Sequence, residues 1–154
     1  MNHKTLHNLV WIPMFLIGLA GAVLGFLLLF LYEPWLLDQA ANEAVIQITF
    51  EELLSAEINQ NISSYLTALY RFFGLLYIGL GMLICLYVLV TFMGTSRARK
   101  GLLIVLGIFF AATFFLEYSL IPTSPLINLT DGLVALYLLS FWATIRLSRE
   151  EKDL

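Results

Sequence analysis

The chain has 154 residues, of which 60% are hydrophobic and 12% charged, with a formal net charge of −3 and a mean hydropathy of +0.89. So apolar a composition excludes an ordinary soluble domain, and 8 Lys and Arg residues with no basic stripe beyond one short loop exclude nucleic acid as a partner. What remains is an all-α integral membrane protein, a single membrane domain over 1–154, whose first partner is the lipid bilayer.

The first apolar run predicts a span at about 10–32, roughly the 20 residues needed to cross the hydrocarbon core. A cleavable signal peptide is the rival reading, with Lys4 before the apolar region and Ala20-Gly21-Ala22 as cleavage site. The run continues through Phe26 and Leu31, too long for such a peptide. Pro13 is expected in the first turns, where a missing donor does little harm, and Glu33-Pro34 ends the span. Gly21 and Gly25, with Gly18, permit close helix approach, for internal packing or for self-association.

Between 33 and 65 lies an outer loop that carries Glu33, Asp38, Glu43, Glu51, Glu52 and Glu57 and no Lys or Arg. From Ala40 to Ile58, apolar residues including Ile46, Phe50 and Leu53 recur at helical spacing, which predicts an amphipathic helix in this first extracytoplasmic loop, with a short strand beginning at Val45-Ile46-Gln47-Ile48-Thr49-Phe50 as the alternative. Its acidity would repel anionic lipid, so the bundle mouth or a protein partner is its expected seat. Asn61-Ile62-Ser63 matches the glycosylation sequon, a pattern short enough to arise by chance.

The second span, at about 68–92, opens on Tyr70-Arg71, and Arg71 is the sole Lys or Arg between Lys4 and Arg97. Tyr70, Gly74, Tyr77 and Gly81 step by four, three and four residues, giving one helix face for tight packing. Gly94 to Gly101, with Arg97, Arg99 and Lys100, reads as a basic turn. Spans at about 102–121 and 126–145 follow, separated by Pro122-Thr123-Ser124-Pro125. Lys4, Arg97, Arg99, Lys100, Arg146, Arg149 and Lys152 share one side, so both termini are expected in the cytoplasm, across a bacterial inner (plasma) membrane.

Arg71, Glu117 and Asp131 interrupt their spans at corresponding depths, roughly 5 to 8 Å below the outer boundary at 1.5 Å per residue. Charges in apolar helices are costly, so mutual pairing is expected. Together with Tyr70, Tyr77 and Tyr118 they form a structural ion-pair cluster or an outward pocket for a polar head group, a cation or a proton, or else lie at the interface without mutual contact. Tyr32, Trp35 and Tyr65 read as an outer aromatic belt, Trp11 and Trp142 as an inner one. His3 and His7 have no third ligand beside them, and Cys85 stands alone, so no metal, cofactor or catalytic residue is inferred.

Tyr70-Arg71-x-x-Gly74-Leu75-Leu76-Tyr77-x-Gly79-x-Gly81, the four spans, the loop after the first and the Asp131-Gly132 step opening the fourth resemble the DoxX-like superfamily of small four-helix membrane proteins, in its branch of uncharacterised domains. The similarity covers about 63–147. It implies a four-helix bundle, and some relatives are similar to accessory subunits of membrane oxidoreductases. Where the resemblance implies a basic residue near the outer end of the third span, this chain has Glu117-Tyr118. The expected function is that of a non-enzymatic accessory or assembly subunit working with a membrane protein partner. The alternative is a binder or carrier of a lipid-like, quinone-like or cationic ligand.

Overall fold

A computed structural model describes residues 2–151; Met1 and the tail residues Lys152, Asp153 and Leu154 lie outside the described residues. The described chain is helical without a strand: α1 (His3–Phe30), α2 (Gln39–Ile46), α3 (Phe50–Ser55), α4 (Ile62–Thr91), α5 (Ser96–Leu120) and α6 (Leu126–Glu150), with 3₁₀ turns at Pro34–Asp38 and Glu57–Asn59. α1, α4, α5 and α6 are long and apolar enough to cross a membrane. Large apolar side chains such as Phe72, Leu83, Ile108 and Phe115 stand exposed on them, the surface expected of helices that face lipid or another protein.

α1 begins earlier than its apolar run, because the Asn2 side chain accepts the Lys4 amide at 3.2 Å and caps the helix. Pro13 therefore lies inside α1, not in its first turns, and leaves the Leu9 carbonyl without its intrahelical donor. At the other junction the expected basic turn shortens. Phe92 and Met93 take left-handed φ values of 45° and 50°, Thr95 caps α5 by accepting the Ala98 amide at 3.2 Å, and Arg97, Arg99 and Lys100 fall on the first turns of α5.

The long loop holds two short helices where one continuous helix is expected. Gln47 turns left-handed at φ 57° and ends α2. Thr49 and Glu52 then form a reciprocal capping box that starts α3. Only Ala41 of α2 and Phe50 of α3 are buried, so the apolar arc does not act as one face.

Packing follows the order α4, α1, α6, α5: α1 lies between α4 and α6, and α5 packs on α6. We call the end with the α4–α5 junction the turn end and the opposite end the loop end. The main core sits toward the turn end, where Leu6, Val10, Met14, Val88, Leu106 and Leu147 interlock. Ser140 binds the chain of α1 there, donating to the Val10 carbonyl at 2.7 Å.

The α1–α4 seam is backbone on backbone. A Cβ at Gly25 would stand 2.6 Å from the Gly74 carbonyl oxygen, and one at Gly81 would stand 2.5 Å from the Gly18 oxygen and the Ala22 nitrogen. Gly25, Gly74 and Gly81 thus pack as expected. Gly21 does not: its Cβ would meet only the Gly81 Cα at 3.8 Å, an ordinary contact, and Gly18 holds the close approach in its place.

Candidate functional site

At the loop end the expected charge cluster divides. Arg71 is exposed on α4, and the one ion pair among the described residues joins Arg99 to Glu151. Arg71 therefore pairs with neither Glu117 nor Asp131. Helix geometry gives the reason: Tyr70 and Tyr77, seven residues apart, share a face, whereas Arg71 points about 100° around from Tyr70. In addition α4 packs on α1, while α5 and α6, which carry the two acids, pack on each other.

The acids find other partners. Glu117 is half-buried, and its Oε1 accepts the Thr130 hydroxyl across the α5–α6 seam at 2.8 Å. Its Oε2 is buried with no partner. Asp131 is exposed and its Oδ2 lies 3.5 Å from the Tyr118 hydroxyl, at the limit of a hydrogen bond. The Tyr118 ring leans on Phe114, with centroids 4.3 Å apart. Tyr77 is half-buried on α4. Tyr70 is drawn to the loop instead: Asn42 of α2 donates to its hydroxyl at 3.0 Å and to the Trp35 carbonyl at 3.4 Å. Trp35 is only 2% exposed, so this belt residue is a plug under the loop.

Without Arg71 the layer is acidic, with two carboxylates on α5 and α6 and, among the described residues, no cation paired with either. Two shallow recesses mark the surface. One, about 320 Å³, lies between α2 and Pro125, and the other, about 340 Å³, follows the α5–α6 seam near the turn end. Neither is lined by Arg71, Glu117 or Asp131.

A second polar centre lies at the turn end. Arg99 is fully buried; it is paired with Glu151 and donates to the carbonyls of Met93 and Gly94 at 3.4 and 3.2 Å. A guanidinium here supplies donors for carbonyls left free where α4 ends, next to the negative end of that helix. The sequence signal is spacing: Arg99, Leu103, Leu106 and Phe110 step by four, three and four and are all buried, so Arg99 belongs to the inner stripe of α5. Thr130 carries a fainter signal, being one residue before Asp131 on the buried side of α6.

No family model, no curated protein and no solved structure matches this chain.

Proposed function

We propose that the chain is an integral membrane protein acting as a non-enzymatic accessory or assembly subunit, with both termini and the α4–α5 junction in the cytoplasm. The observation that carries this reading is Arg71. It is exposed and, among the described residues, an unpaired cation near the loop end of an otherwise apolar helix, beside exposed Phe72, Leu75 and Leu76. A charge so placed is costly against lipid and finds its counter-charge in another membrane helix or at the interface. The acidic loop above it adds contacts of the opposite sign, and the DoxX-like resemblance at Tyr70 to Gly81 agrees with an accessory role. Purification of the native membrane protein in gentle detergent tests this. Wild type should carry a stoichiometric membrane protein partner that Arg71→Leu loses, with the melting temperature unchanged. Wild type that purifies alone, or an Arg71→Leu variant that keeps the same partner, would remove the reading.

The binder or carrier alternative rests on a different atom, the buried and unpartnered Oε2 of Glu117, which suits a proton or a small cation. A hydrophobic carbodiimide should then label Glu117, and a bound organic cation should protect it. Absence of both labelling and protection would dispose of this alternative.

A further inference from the structure

The recess on the α5–α6 seam grades from polar to apolar along its length. Lys100, Ser148 and Arg149 line it toward the turn end, Ile104 and Thr144 about one helical turn further along, and Phe141 beyond them. Phe141 is two turns from Arg149, about 12 Å along the axis. Thr144 is 5% exposed, and its hydroxyl and that of Ser148 are buried with no hydrogen-bond partner among the described residues. Thr67 and Thr91 show how a helical hydroxyl satisfies itself, each donating to the carbonyl four residues back at 2.8 Å. Thr144 and Ser148, four residues apart on one face of α6, make no such bond, so two hydrogen-bonding groups are left over beside two cations.

We propose that this recess binds an anionic phospholipid. The headgroup phosphate sits between Lys100 and Arg149 and accepts from the Thr144 and Ser148 hydroxyls, while one acyl chain lies along Ile104 and Phe141. Charge complementarity and the polar-to-apolar gradient together select this occupant. A free anion would leave the apolar half unused, and an apolar helix would bury the two cations without a counter-charge. Basic residues at the end of a membrane helix are where headgroup recognition is found. The inference rests on the membrane reading above and is independent of any protein partner.

The test uses full-length protein from membranes washed with alkaline carbonate, reconstituted in bilayer discs of phosphatidylglycerol and phosphatidylcholine, with retained lipid measured by native mass spectrometry. Wild type should retain phosphatidylglycerol in preference to phosphatidylcholine. Lys100→Gln with Arg149→Gln should lower that retention about 25-fold, roughly fivefold per cation. Thr144→Val with Ser148→Ala should lower it severalfold, whereas Arg97→Gln, outside the recess, should leave it unchanged. All variants should melt as wild type does. Equal retention of both lipids, indifference to all of these substitutions, displacement by inorganic phosphate alone, or a photo-crosslink from Ile104 to polypeptide rather than lipid would overturn the proposal. Release of the chain by carbonate would overturn the membrane reading with it; an integral protein that retains no anionic lipid would overturn this inference alone.

Discussion

Gly81 and Gly79 are two residues apart on α4 and meet opposite surroundings, so they separate packing from backbone flexibility. A Cβ at Gly81 would stand 2.5 Å from α1 backbone, which cannot rotate away, while one at Gly79 meets nothing within 4 Å. Gly81→Ala should destabilise by about 1–3 kcal/mol through forced separation of α1 and α4. Gly79→Ala should be neutral or stabilise by up to about 1 kcal/mol, since alanine is the better helix former. Reversible unfolding in mixed micelles measures both. Arg99 and Glu151 offer a second residue-scale test, because the Arg99 side chain is 0% exposed and that of Glu151 35%. Glu151→Gln leaves a charge buried with only carbonyls around it, at a cost of about 3 kcal/mol. Arg99→Met leaves a carboxylate that water can reach, together with two carbonyls that lose a donor, at a cost of about 2 kcal/mol. The double variant should cost less than the sum of the singles; strict additivity would show that the pair is not coupled.

Among the elements, the α2–α3 segment depends on a single side chain. Glu43 accepts the Phe50 amide at 2.9 Å and the Gln39 side chain at 2.8 Å, which ties α3 to α2 across the Gln47 break. These bonds, the Phe50 amide first, hold the Glu43 carboxyl below its usual 4.5. A depressed folded value means that the stabilisation is fully present above pH 4.5 and is lost as pH falls through the lower folded value. Pepsin cleavage of the Ile48–Phe50 link should therefore rise in the acid range for wild type relative to Glu43→Ala, which has no side-chain acceptor and leaves the link untied at every pH. Identical pH profiles would refute the tie. The capping box of Thr49 and Glu52, which the reading of 40–58 as one helix passes over, divides the apolar pattern.

At the scale of the whole molecule, α1 is the element the others are arranged on, since it packs on both α4 and α6. Its 28 residues extend roughly 42 Å at 1.5 Å per residue, longer than a hydrocarbon core of about 30 Å. The proposed orientation rests on all the described Lys and Arg residues except Arg71 lying at the turn end: Lys4, Arg97, Arg99, Lys100, Arg146 and Arg149. In a Cys85→Ala background, a cysteine at exposed Ser55 should react with an impermeant maleimide in intact cells, and one at exposed Gly94 should react only after permeabilisation. Equal labelling from outside would reverse or abolish the topology.

The helical class and the four long helices followed from the sequence alone, because backbone among apolar side chains that exclude water must satisfy itself internally, and uninterrupted apolar runs of this length do so as helices. Gly74 and Gly81 were legible for the same local reason, since their seven-residue step places both on one face whatever helix lies opposite. Which helices become neighbours is a property of the packed chain, and it decided the rest. It set Arg71 on the open side of α4 and joined Glu117 to Thr130. It gave the close approach to Gly18 rather than Gly21. It also drew Arg99 inward, because the carbonyls at the end of α4 and the carboxylate of Glu151, fifty-two residues on, converge there only when α4, α5 and α6 are packed.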